Sequence, residues 1–209
     1  MGNDTYLRLR QMIIDKELQP GEVLSERGIS LQFGVGRMLV REAIRMLAQE
    51  GLLEVSPMRG TFVRQLSLTD LQEIHEVRLA LEGMAASLAA QKGNPDNLMS
   101  ISKKMRQLLS QPYPDTTQAQ ELGWQFHDEM FRMSGNLRLI TMYASLRLQS
   151  GLVLQGIKNY DPERTRQAIR EHLEIIECIC NGEAEAARQK IQDHLQDAMT
   201  TRLMMLITP

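Results

Sequence analysis

The chain has 209 residues, room for one large domain or two small ones. Hydrophobic residues make up 43% and charged residues 24%, a globular balance that excludes wholesale disorder. Apolar runs of only a few residues exclude a transmembrane helix, and a net charge of −2 does not announce a nucleic-acid partner, although an average can hide a local basic face. With only 4% aromatic residues and 14 methionines, the composition favours packed helices over sheets. Cys178 and Cys180 are too few and too close for a disulfide framework and fit a reducing cytoplasm. The opening Met-Gly-Asn-Asp lacks the basic-then-apolar stretch of a secretory signal.

In chain order, Tyr6, Leu7, Leu9, Met12, Ile13 and Ile14 form a rough helical stripe that ends before Gln19-Pro20-Gly21. Ser25 then stands as the N-cap of a short helix that Gly34-Val35-Gly36 breaks. A third helix buries Leu39, Val40, Ala43, Ile44 and Leu47 and stops at Gly51. Leu52–Val55 and Thr61–Val63 flank Ser56-Pro57-Met58-Arg59-Gly60 and read as a β-hairpin. Three helices and a hairpin give residues 1–66 the layout of a winged helix-turn-helix. Residues 67–209 read as six antiparallel helices on short turns, an all-helical bundle. Its breaks fall at Gly93-Asn94-Pro95, Pro112 with Pro114, Ser134-Gly135-Asn136, about Gly156, and Asn181-Gly182. Asp161-Pro162 supplies a cap followed by proline at the first helical position.

At 100° per residue, Arg37, Arg41 and Arg45 share one stripe of the third helix, bordering its apolar face. With Arg27 on the preceding helix and Arg59 and Arg64 on the hairpin, residues 25–65 hold six arginines and no lysine. Arginine is the residue for forked contacts to phosphates and guanine edges. A solvated surface stripe is the competing reading, because Glu26, Glu42, Glu50 and Glu54 are interleaved.

Leu18–Arg27, Phe33–Ile44, Leu47–Leu52 and Arg59-Gly-Thr-Phe-Val63, in that order and spacing, resemble the GntR family of bacterial transcription regulators. The resemblance implies a winged helix-turn-helix with its third helix in the major groove and its wing tip at the minor groove. Carried over by position, Arg27, Arg37 and Arg41 contact DNA, with Arg59 on the wing and Gly60 letting its backbone approach closely. The family pattern has Ser where this chain has Gly36 and Thr-Pro where it has Met38-Leu39. Gly36 weakens the recognition-helix cap by a few tenths of a kcal/mol, roughly, relative to Ser. Met38, at a DNA-facing position, lacks the hydroxyl that could bond a base or phosphate.

All four histidines, His75, His127, His172 and His194, fall in the helical half. His172 lies ten residues before Gly182 and His194 twelve after it. In an antiparallel pair turning there, both sit about 15–18 Å from the turn and can face each other. His127, beside Phe126 and Met130, needs a partner if its ring points inward. Three convergent imidazoles suit Zn²⁺ or a similar divalent ion with an open position; imidazoles hydrogen-bonded around water in a metal-free cavity are the alternative. Cys178 and Cys180 point about 200° apart on a helix and read as one core and one surface thiol. The Met130/Met133 and Met199/Met204/Met205 groups read as core or dimer-interface filler.

Glu76–Gly83, Phe126-His127 followed by Ser134-Gly-Asn136, and the His172/His194 pair also resemble the FadR-like C-terminal (FCD) domain of one GntR branch. That resemblance implies a ligand-sensing, dimerising domain, often with a metal held by an Asp and three His. The Asp expected one turn before His127 is Gly123 here. Arg78 matches an arginine that faces the effector cavity; an ion pair with Glu82, one turn on, is the competing reading. The sequence therefore points to a cytoplasmic, non-enzymatic transcription regulator, a repressor, acting as a homodimer on a short imperfect palindrome. Arg78, His127, His172 and His194 would bind a small anionic metabolite, a carboxylate, with His127, His172 and His194 holding the metal. A metal-dependent hydrolase is the alternative, but Asp128 and Glu129, its nearest general bases, project away from the His127 face.

Overall fold

The computed structural model describes residues 2–154 and 161–207. Among them the chain forms α1 (Gly2–Ile14), β1 (Val23–Leu24), α2 (Glu26–Phe33), α3 (Arg37–Gln49), β2 (Leu53–Ser56) and β3 (Gly60–Val63). The helices α4 (Leu68–Lys92), α5 (Asp96–Leu109), α6 (Thr116–Met133), α7 (Leu137–Leu154), α8 (Pro162–Cys180) and α9 (Ala184–Ile207) follow. Two compact units result. The first holds residues 2–71 and also residues 144–154; the second holds Gln72–Tyr143 and the described residues from 161 onward.

In the first unit the expected caps are in place. Ser25 Oγ accepts from the Gly28 amide at 3.1 Å, and Gly34 closes α2 at φ 66°, a left-handed turn that favours glycine. Gly36 starts α3 with no side-chain cap bond. Leu9 and Ile13 of α1 meet Ile29, Val40, Ile44 and Leu47 in a buried core that Leu52, Leu53 and Val63 complete from the strands. The hairpin is joined by a third strand. β3 lies between β1 and β2, antiparallel to both, with Val23 opposite Phe62 and Leu53 opposite Val63. Within this unit Gln149 of α7 donates to the Glu50 carbonyl at 3.1 Å.

The second unit is an antiparallel helical bundle. Asp115 caps α6 through the Thr117 and Gln118 amides, and Asp161 caps α8 ahead of Pro162. α8 packs along α9 and, with α6, against α5. Phe126, Met130, Leu98, Met105 and Ile169 are fully buried in one contiguous core, each contributing roughly 1.5–3 kcal/mol of transfer free energy. Phe131 stacks on Tyr143 with ring centroids 4.0 Å apart. Cys178 is buried and Cys180 exposed. Met130, Met133 and Met199 are core residues, while Met204 is exposed. The expected break at about Gly156 lies outside the described residues.

Candidate functional site

The first unit presents α3 with its apolar side inward and Arg37, Met38, Arg41 and Arg45 outward, all exposed. Met38 retains 81% of its surface. Arg41 Nε bonds Glu26 Oε2 at 2.8 Å, and Arg45 bonds Glu42, its neighbour one turn back, at 2.6 Å. Arg27 and Arg37 are exposed and have no acidic partner among the described residues. The interleaved acids therefore hold two of the four helix arginines and leave Arg27 and Arg37 open to a polyanion. On the wing, Arg59 lies 5.8 Å from the Phe62 ring centroid, and Gly60 takes φ 111°, a conformation that side-chain-bearing residues avoid. Arg64 is turned to Asp70 at 2.5 Å.

In the second unit His127 of α6, His172 of α8 and His194 of α9 converge, all buried. One ring nitrogen from each lies within 4.8 Å of the other two. The Nε2 atoms of His172 and His194 are 3.1 Å apart. His194 Nδ1 lies 2.6 Å from Glu171 Oε2, which assigns the proton to Nδ1 and leaves the Nε2 lone pair facing the cluster. Arg164 holds Glu171 at 3.0 Å. His127 Nδ1 sits 2.6 Å from Glu82 Oε2, close but off the alignment of an ordinary hydrogen bond. Arg78, on the same helix, takes the other oxygen of Glu82 at 2.7 Å. The fourth histidine, His75, bonds Gln196 at 3.1 Å and stands apart.

The electrostatics favour the neutral, ligand-ready form of His172 and His194. Burial, reinforced by the neighbouring rings, pushes His172 and His194 well below the ordinary histidine range. Burial alone would raise Glu82, but Arg78 and then His127 outweigh it and hold its carboxyl down at about 2. Burial pushes Glu171 up against the opposing pull of Arg164. Two carboxylates thus stand behind two imidazoles, each partnered by an arginine on its far side. Such carboxylate–histidine pairs fix ring tautomers in metal sites.

Sequence patterns brought out the three imidazoles but not Glu171 or Arg164. The one available signal was the seven-residue spacing of Arg164 and Glu171, two turns along one helix face. Gly123 is buried, and a Cβ built on it would come 3.0 Å from His172 Cε1. The histidine ring therefore fills the space beside the position where the family pattern places its Asp. Arg78 is only 4% exposed, with its charge balanced by Glu82.

Residues 2–63 match the bacterial regulatory proteins of the gntR family, and residues 73–197 match the FCD domain. The chain belongs to the GntR family, in its FCD-domain branch. This GntR–FCD chain is 28% identical over 184 residues to the Bacillus subtilis uncharacterized HTH-type transcriptional regulator YdhC, covering 87% of this chain and 81% of the relative. It is 31% identical to an uncharacterized HTH-type transcriptional regulator in an unstable DNA locus of Streptomyces ambofaciens, covering 86% and 75%. A putative transcriptional regulator GntR from Rhodococcus sp. RHA1 superposes with a TM-score of 0.75 at 26% identity, with 97% of each chain covered. These relatives are named as transcription regulators, so the family is one of DNA-binding regulators, and a hydrolase reading has no support among them. Asp128 is exposed and Glu129 is engaged by Arg132, so neither is presented to the histidines. No helix among the described residues is long and apolar enough to cross a membrane.

Proposed function

We propose that this GntR–FCD regulator is a homodimeric, cytoplasmic repressor whose helical unit senses a small carboxylate metabolite at a metal site built from His127, His172 and His194. The observation that carries the reading is the convergence of three buried imidazoles from three helices, with their ligand nitrogens within 4.8 Å of one another. Zn–N bonds of about 2.0–2.1 Å put tetrahedral ligands roughly 3.3 Å apart, and the 3.1 Å His172–His194 separation suits that spacing. Bound there, a divalent ion would supply a Lewis-acidic centre with an open position for an anionic oxygen.

The chain's own charges favour an anion as ligand. Glu82 and Glu171 are each matched by an arginine, the three rings are neutral ligands, and position 123 offers no carboxylate. The double positive charge of the ion therefore has no local balance, which a carboxylate effector restores. Arg78 serves this site mainly through Glu82, because a guanidinium already neutralised at 2.7 Å attracts a second anion less than a free one. By tying α6, α8 and α9 together, binding would shift the helical unit between states and alter operator affinity. Arg27, Arg37, Met38, Arg41, Arg59 and Gly60 form the DNA face. One such module offers few contacts, so a two-fold pair reading a short imperfect palindrome is expected.

Elemental analysis of tag-free protein tests the metal directly. About one equivalent of a divalent ion per chain is expected, with melting lowered by chelator, restored by added ion, and raised further by carboxylates only when the ion is bound. Less than a tenth of an equivalent together with no chelator effect would overturn the metal reading. Sedimentation showing only monomer at micromolar concentration, with and without DNA, would overturn the dimer.

A further inference from the structure

The wing tip carries a methionine that the fold does not use. Ser56–Arg59 form a turn closed by the Arg59 amide donating to the Ser56 carbonyl at 3.2 Å. Pro57 stands at the second position of that turn, and Met58 at the third takes φ 66°. Such a turn asks for Gly or Asn there, because a larger side chain in the left-handed region crowds its own backbone. Met58 is also completely exposed, at 106% of its reference surface. Backbone strain and the hydration of a large apolar side chain are thus both incurred with no contact in return. Strain of this kind concentrates at functional surfaces.

The neighbours say which surface the tip meets. Arg59 follows directly, and Gly60 leaves the adjoining backbone without a side chain. α3 of the same unit turns Arg37 and Met38 to solvent. An apolar tip flanked by guanidinium suits a partner that is anionic outside and apolar within, as duplex DNA is with its phosphates and stacked bases. The major groove admits an α-helix, and the winged helix-turn-helix resemblance that puts α3 there implies the hairpin tip at the adjoining minor groove.

We propose that Met58 is an apolar wedge that enters the minor groove beside the site read by α3 and partly unstacks one base step there, while Arg59 holds the flanking phosphates. Wedges of Met, Leu, Ile or Phe unstack and kink duplexes in this way, most easily at pyrimidine–purine steps. The inference rests on the DNA-binding reading of the first unit and adds a specificity-determining residue to it.

The test uses the full chain and a duplex that the parent protein selects from a random pool. 2-Aminopurine is placed in turn along the flanks of the selected site, and Met58→Gly, Met58→Asn and Met58→Leu are compared with the parent. Gly and Asn relieve the backbone, so both variants are expected to melt at or above the parental temperature. Both should nonetheless bind about tenfold more weakly and lose the fluorescence rise that reports unstacking. Met58→Leu should keep both binding and the rise. Binding by Met58→Gly within twofold of the parent, or no fluorescence rise with the parent at any flank position, would overturn the wedge. Failure to select any duplex would instead overturn the DNA-binding reading itself.

Discussion

Nε2 of His172 faces Nε2 of His194 across 3.1 Å, and the two rings are not equivalent. His194 keeps its proton on Nδ1, towards Glu171, and so accepts at Nε2. His172 is then the donor of the pair. To offer Nε2 to a metal it must carry its proton on Nδ1 instead, while its Cε1 edge, between the two nitrogens, packs against Gly123. The space at position 123 therefore bounds where the His172 ring can sit.

Gly123→Ala tests that dependence. Alanine in a helix interior gains about 1 kcal/mol over glycine. Its methyl would stand 3.0 Å from His172 Cε1, however, and that ring is hemmed in by Phe126, at 5.0 Å between centroids, and by His194. Overpacking of this kind costs about 1–3 kcal/mol, so a net loss of roughly 1 kcal/mol is expected, read as a lower urea midpoint. A midpoint above the parent's would show that the ring yields freely.

Glu82→Gln keeps the side-chain shape and removes the charge. Arg78 would be left as a buried cation without its counter-ion, a loss of about 3–5 kcal/mol. Adding Arg78→Met should recover much of that loss. If the single variant is as stable as the parent, the Arg78–Glu82 pair does not hold the bundle as described.

Acid should weaken the metal-stripped protein before its carboxylates titrate. His172 and His194 are held below their ordinary range in the folded state by burial, whereas the unfolded chain binds protons below about 6.5. The unfolded state takes up more protons as pH falls, so the stabilising contribution is complete above about 6.5 and declines beneath it. Urea midpoints at pH 7.5 and 5.5, compared with those of a His172→Asn/His194→Asn double variant, separate the rings from Glu171, which burial pushes the other way. Equal pH responses in the two proteins would rule out neutral buried rings.

On the DNA face, Arg37→Ala should lower operator affinity by about 1–3 kcal/mol and relax preference at one base position, if Arg37 reads a base edge. Glu26→Gln should act in the opposite direction, because it frees Arg41 from its 2.8 Å partner. Anisotropy titrations across a salt series should show tighter binding and a steeper salt slope for Glu26→Gln. An unchanged slope would mean that Arg41 stays off the phosphates.

Local rules made much of the fold readable. Ser25, Gly34 and Asp161-Pro162 mark helix ends through bonds to residues a few positions away, and the structure places all of them at caps. β1 escaped notice because two residues carry no alternation, and its strand character comes from pairing with Phe62 and Thr61 far along the chain. The histidines were legible because one turn at Gly182 sets the depth of two of them. Glu171 was not, since its role depends on how α8 is rotated against α9. The missing carboxylate at Gly123 was likewise visible in the residue order, but the ring packed beside it was a matter of three-dimensional packing.

The arginine-only composition of residues 25–65 has a consequence for control. A guanidinium stays charged at any pH the cell reaches and is not a substrate for the acylation that neutralises lysine amines. Acidification and acetyl donors therefore leave the charge of this face untouched. Its attraction for phosphate is constant, and any control of operator occupancy has to come from something other than the charge of these arginines.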